Sequence, residues 1–321
     1  MKNGAKRTAS VPEKAKPPWI NGRDIDLVAW MVALAPLATV LGPATWPRLC
    51  AGIGQIRGRL QGRRFTAKAR RIEHIFGDAL PRPATDIAMA HIAAHYTLHC
   101  HVLRMSIVRK WRPAVTVNGQ EHLRQALAKG CGAVLWIGNF SCASVVQKQS
   151  MAEAGYRVSH LSRSSHAFST TVFGRCFINP IQVGVEERFV AERILLGDRS
   201  ATAAMRKMRA RLAENGLVSI SEGGDGARNV AARLFDGKIR LATGAPRLAY
   251  SSGAPLLPVF TVSTGPSVFT VDVGSPLAEG ARAEAGDYVA TAVGDYAARL
   301  EDYLRRVPEQ WDGWYSVADV S

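Results

Sequence analysis

The segment from Gly132 to Ser144, Gly-Ala-Val-Leu-Trp-Ile-Gly-Asn-Phe-Ser-Cys-Ala-Ser, constrains this chain more than any other. Ala133 to Ile137 is an apolar run of strand length, Gly138-Asn139 makes a tight turn, and Ser141 to Ala154 can continue as helix. A strand, turn and helix in that order belongs to an α/β sheet. There the turn stands at the carboxyl end of a strand and helix N–H groups face outward.

After Trp111 the pattern keeps alternating. Strands are predicted at Ala114–Val117, Ala133–Ile137, Arg157–Leu161, Ile181–Val183, Leu217–Ser221, Leu256–Val262 and Val268–Val273. Helices are predicted at Glu121–Ala128, Ser144–Ala154, Phe168–Cys176, Ala201–Asn215, Gly244–Ser252 and Asp287–Arg306, and Gly184 to Ser200 reads either way. The expectation is an α/β fold with a mainly parallel central sheet flanked by helices. With 321 residues and 47% hydrophobic content, one such domain is large enough to bury its own core. The expected division is a disordered basic tail at 1–18, a helical region at 19–112 and an α/β domain at 113–321.

The formal charge of +15 is concentrated at the amino end, where residues 1–75 hold 14 Lys and Arg against four Asp and Glu. Such a surface fits anionic lipid headgroups, an acidic carrier protein or nucleic acid. No zinc-finger spacing, RNP-like aromatic motif or helix-turn-helix supports nucleic acid. Five widely spaced cysteines with no Cys-x-x-Cys pair suggest neither a disulfide framework nor a zinc ribbon, and a reducing compartment fits them. Leu27 to Leu41 carries no charge, has Pro36 inside it and Trp30 and Trp46 near its ends. It is shorter than the roughly 20 residues of a spanning helix, so it reads as a monotopic or re-entrant anchor, with a core helix or a secretory h-region as the competing readings. His91, His95 and His99 fall four apart on one helix face with no carboxylate in the stripe, which favours packing or a polar face over a metal site.

The turn and its surroundings resemble the lysophospholipid acyltransferase superfamily, and in particular the late (lauroyl and myristoyl) acyltransferases of lipid A biosynthesis. Those proteins carry His-x-Gly-Asn-Trp-Glu where this chain has Trp136-Ile137-Gly138-Asn139-Phe140-Ser141. The resemblance continues through Val117-Asn118-Gly119-Gln120-Glu121-His122-Leu123, the basic stretch from Arg57 to Ile75 with Phe76-Gly77-Asp78, and Ser162-Arg163-Ser164-Ser165-His166 with Gly174-Arg175. It goes on through Leu217 to Gly226, Arg233-Leu234-Phe235-Asp236-Gly237, Ala242 to Ala249, Gly253 to Val259 and Pro308-Glu309-Gln310-Trp311 with Trp314. The alignment puts Trp136 at the catalytic His and Ser141 at the catalytic carboxylate, so neither catalytic side chain is present.

What the resemblance implies is transfer of a fatty acyl group from a thioester, on acyl carrier protein or coenzyme A, to a lipid, glycolipid or amine acceptor, without cofactor or metal. In the family a His takes the acceptor proton and N–H groups at the turn hold the developing oxyanion. Here His166 or Glu222 is the candidate replacement base, with Gly138, Asn139, Arg163 and Gly223 as candidate binding residues. Cys142, at a helix N-terminus, is a possible nucleophile. The alternative is a catalytically inactive relative acting as an acyl-binding or scaffold protein. The basic, Trp-flanked N-terminus, with Leu27–Leu41 dipping into the interface, predicts a peripheral or monotopic position on the cytoplasmic face of a bacterial inner membrane.

Overall fold

All five side chains of β2 (Ala133–Ile137) are buried, as an uninterrupted apolar pentapeptide requires when helices cover both faces of a sheet. The computed structural model describes residues 17–163, 166–196, 201–224, 226, 228–281 and 283–315. β2 joins β1 (Ala114–Asn118), β3 (Val158–Arg163), β4 (Glu192–Leu196), β5 (Leu217–Ser221), β8 (Leu256–Gly265) and β9 (Val268–Val273) in one seven-stranded sheet ordered β1-β9-β8-β2-β5-β3-β4. Every neighbouring pair is parallel except β8 with β9. A separate antiparallel hairpin pairs β6 (Asn229–Leu234) with β7 (Gly237–Ala242). The protein is an α/β fold with a mainly parallel seven-stranded sheet flanked by helices and preceded by a helical region.

Strand alternation divides the core in two. Val134, Trp136, Leu256 and Phe260 pack with α8 (Gly244–Ser252) and α9 (Ala285–Arg306). Leu135, Ile137, Leu257 and Val259 pack on the opposite side with α5 (Ala143–Glu153) and α3 (Ala84–Ile107). α4 (Gln120–Ala128), α6 (Asn179–Glu186) and α7 (Ala201–Ala213) complete the helical layers.

The predicted disordered tail falls almost entirely outside the described residues. The helical region holds α1 (Gly22–Val40), α2 (Trp46–Phe76) and α3, with a break in α2 at Gly62, whose φ of 40° suits glycine. Asn21 and Asp24 cap the start of α1 reciprocally. Buried Asp24 also accepts hydrogen bonds from Ser169 Oγ (2.5 Å) and Thr171 Oγ1 (2.8 Å), which fastens α1 to the chain after β3. No helix among the described residues is long and apolar enough to cross a membrane.

Three local expectations need correction. Ile181–Val183 is not a strand but lies inside α6, because Pro180 at the helix start and the 3.6-residue pattern of Ile178, Gln182 and Val185 outweigh a three-residue apolar run. The helix expected at Phe168–Cys176 begins instead near Val172 and runs on through 186. The ambiguous stretch after Gly184 contains the edge strand β4, while its last residues, 197–200, lie outside the described residues.

Candidate functional site at the carboxyl edge of the sheet

Beyond β2 the chain turns within three residues. Gly138 N–H donates to the Val259 carbonyl (2.8 Å), and a Cβ at Gly138 would stand 2.6 Å from the Phe260 ring, so this close approach requires glycine. Cys142 takes a left-handed φ of 69° to launch α5. The carboxyl-terminal segment then pairs with the turn: Phe140 bridges Trp311 in antiparallel sense, Ser141 N–H donates to the Gln310 carbonyl (2.5 Å) and Asp312 N–H to the Asn139 carbonyl (2.7 Å). The Gln310 side chain locks this strap to β8 through both the N–H and the carbonyl of Ser263.

The position aligned with a catalytic His is a packing position. Trp136 is 1% exposed and stacks on Tyr296 of α9. Glu222 reaches the same turn but is occupied there, accepting hydrogen bonds from Tyr296 Oη (2.5 Å), Trp311 Nε1 and the Asn139 N–H. Burial raises its carboxyl above the ordinary range and the three donors pull it partway back. Its geometry is that of a post holding strap, turn and α9 together. Gly223 has a similar part, accepting from the Ala242 N–H (2.7 Å) at the root of the hairpin. The turn also spends its own donors: the N–H groups of Gly138, Asn139, Phe140, Ser141 and Ala143 all have acceptors within the protein.

His166 does not meet Glu222. It follows β3, and its Nε2 lies 2.9 and 3.1 Å from the two carboxylate oxygens of Glu186 on α6, on the α5 side of the sheet. Glu186 also receives Lys148 Nζ from α5 and Gln182 Nε2 (2.7 Å), and Gln182 reaches Ser144 Oγ at the start of α5 (3.2 Å). Burial opposes the Glu186 charge, but Lys148 and His166 overcome it and hold the carboxyl well below the usual range. His166 keeps 27% of its side-chain surface exposed. Beneath it His160 Nδ1 pairs with Ser219 Oγ (2.8 Å), and burial keeps that imidazole neutral. Arg163 closes β3 with an exposed side chain, and Ser164 and Ser165 lie outside the described residues.

Cys142 is poorly placed for nucleophilic work. It is buried, its Sγ stands 3.9 Å from His101 Nδ1, and burial followed by the Asp312 charge pushes the thiol far above its ordinary value. The helix N-terminus does not offset that desolvation.

Sequence reasoning left out a second group of ionisable residues beside the turn. Asp312, opposite Asn139 on the strap, has its carboxylate 3.6 Å from His91 Nε2, while His91 Nδ1 donates to the Glu309 carbonyl (3.1 Å). Asp312 keeps 28% of its side-chain surface exposed, yet burial pushes its carboxyl up to about 7, with Lys68 lowering it and Glu222 raising it further. Lys68 is half-buried and is pushed down to about 8 by burial, against the pull of Asp312. Half-buried His95 is pushed down to about 4 by burial, Lys68 and Arg23. Its ring lies 4.7 Å from that of His99, which is buried with both nitrogens lacking a hydrogen-bond partner. Ser141 Oγ is likewise buried without a partner. The four-residue histidine spacing was the only sequence signal for this group. No group of three or more His, Cys, Asp or Glu among the described residues is arranged to hold a metal ion.

No protein-family model matches the chain, and no curated protein matches it significantly.

Proposed function

We propose that the protein transfers a fatty acyl group from a thioester, carried on acyl carrier protein or coenzyme A, to a lipid, glycolipid or amine acceptor, using a base outside the positions that the lipid A acyltransferases use. The observation that carries this reading is that the carboxyl edge of the sheet, closed at Trp136, still presents two imidazole–carboxylate pairs with access to solvent, His91–Asp312 and His166–Glu186. Ligand chemistry in parallel α/β sheets gathers at that edge. His166, held by the Glu186 carboxylate, has the arrangement of a general base, while beside His91, whose Nδ1 donates to the Glu309 carbonyl and leaves Nε2 bare in the neutral ring, the partly exposed Asp312 carboxylate is the group open to an acceptor.

A position at the cytoplasmic face of an inner membrane belongs to the same reading. Every exposed residue of α1 after Arg23 is apolar, including Ile25, Val32, Leu37 and Val40, and Ile56 and Leu60 of α2 are exposed beside Arg59, Arg63 and Arg64. An apolar helix face rimmed by arginines suits an interface of anionic lipid. Thiol release and acylated product, measured together with long-chain acyl thioesters and a membrane lipid extract, test the proposal.

The second reading is a catalytically silent relative that binds acyl chains or a partner. It is favoured by the filled turn, where Trp136, Tyr296 and Trp311 occupy the catalytic position and Glu222 has no oxygen left without a donor. Persistent acyl-chain binding with no thiol release would be its signature.

A further inference from the structure

The two imidazole–carboxylate pairs are not equivalent. Glu186 is buried and already receives Lys148, Gln182 and His166, so its charge is neutralised by an ammonium within the core. Both of its oxygens are taken up within the protein, so it offers none to an acceptor. Asp312 stands differently. Its backbone is fixed directly opposite Asn139, an exposed residue of the turn, and its carboxylate keeps solvent contact with His91 at 3.6 Å. A buried polar atom beside the strap lacks a partner: Ser141 Oγ, on the turn residue whose N–H donates to the Gln310 carbonyl. Buried polar atoms without partners mark a place where a polar ligand or water completes the hydrogen bonding.

We propose that Asp312, partly exposed on the strap opposite Asn139 and beside His91, is the general base of the acyl transfer, an assignment that rests on the acyl-transfer reading above. The acceptor O–H or N–H approaches the exposed side of the Asp312 carboxylate. Asp312 takes its proton as the oxygen or nitrogen attacks the thioester carbonyl carbon. The new C–O or C–N bond forms, the C–S bond breaks, and the protonated Asp312 returns the proton to the departing thiolate. The products are an ester or amide and a free thiol, and no other reactant is consumed. The groups that face Asp312 are Lys68 from α2, His91 from α3, Glu222 after β5 and Cys142 at the start of α5. A carboxyl raised by burial to about 7, with Lys68 lowering it and Glu222 raising it, is matched to proton transfer at physiological pH.

The test uses the full chain with long-chain acyl coenzyme A and acyl carrier protein as donors, and a membrane lipid extract and an amine panel as acceptors, between pH 5 and 9. In the wild type, thiol release coupled to acylated product should rise with pH across about 7. Asp312→Asn should lower the rate by about 100-fold and abolish that acid limb, Asp312→Glu should restore part of both, and His166→Ala should leave the limb in place. If Asp312→Asn does not fold, Lys68→Met serves: loss of the neighbouring cation should move the limb upward by about half a unit or more. A limb unmoved by Lys68→Met, or full activity in Asp312→Asn, overturns the assignment while leaving acyl transfer standing. Absence of thiol release from the wild type with every donor overturns both.

Discussion

Trp136 stacks on Tyr296 with ring centroids 4.1 Å apart and planes inclined by 28°. The indole therefore fills the α9 side of the core at the point where the acyltransferase resemblance expects a basic side chain. Trp136→Ala should cost about 3–5 kcal/mol, the usual range for emptying a large buried aromatic site, measured by denaturant unfolding. In an Asp312→Asn background, Trp136→His with Ser141→Glu should restore no transfer, because the imidazole would be aimed into an apolar stack; hydroxyl acylation regained in that triple variant would show that the turn remains open.

The Glu186 cluster is a structural keystone with a definite sign. Glu186→Ala strands Lys148 without its carboxylate in the core and should destabilise by about 3–5 kcal/mol. Adding Lys148→Met should recover much of the loss, and thermal melting of the two variants at neutral pH distinguishes this from loss of packing alone. Because Glu186 is held below its ordinary value near 4.5, its contribution is present above that pH and disappears on acidification.

Asp312 works in the opposite direction. Its carboxyl titrates near 3.8 when unfolded and about 7 when folded, so between those values the native state binds the proton more tightly and stability falls as pH rises. Neutral His91, His95 and His99 oppose this trend below about 6.5, so wild type alone does not isolate it. The difference does: Asp312→Asn should match wild type near pH 4 and exceed it in melting temperature at pH 7 and above. Equal melting curves at both pH values would place Asp312 in an ordinary solvated setting.

On the apolar face of α1, Val32→Glu combined with Val40→Glu changes two exposed residues and no packed one. Flotation with vesicles containing anionic lipid should recover the wild type with the vesicles and the variant mostly in solution. Equal recovery would remove this face from the membrane contact.

The sheet was legible because β2, β5, β8 and β9 are short apolar runs bounded by Gly, Asn or Pro, and their predicted limits agree with the structure to within a few residues. The β6–β7 hairpin was not, although Asp236-Gly237 stands at its turn, because the two loop residues are Phe235, at a φ of 50°, and Asp236, and Gly237 already belongs to β7. β4 begins with Glu192 and Arg193, which suits a sheet edge but hides the strand in a linker. Glu222 lies at the Gly138 turn, but its three donors come from α9, the strap and the turn, and residue type alone does not disclose them. Asp312 escaped notice for a related reason. Its partners His91 and Lys68 are far away in sequence, and only the folded strap brings them together.

The most direct test of acyl transfer from a relocated base is a single assay in which purified full-length protein meets a long-chain acyl thioester and a membrane lipid extract, with free thiol and acylated product quantified in parallel. The expected result is stoichiometric thiol and product from the wild type, retained in Glu222→Gln protein that remains folded and lost in Asp312→Asn. Retained binding of the acyl chain with neither thiol nor product, across coenzyme A and carrier-protein donors, would contradict it and leave the chain a binding protein.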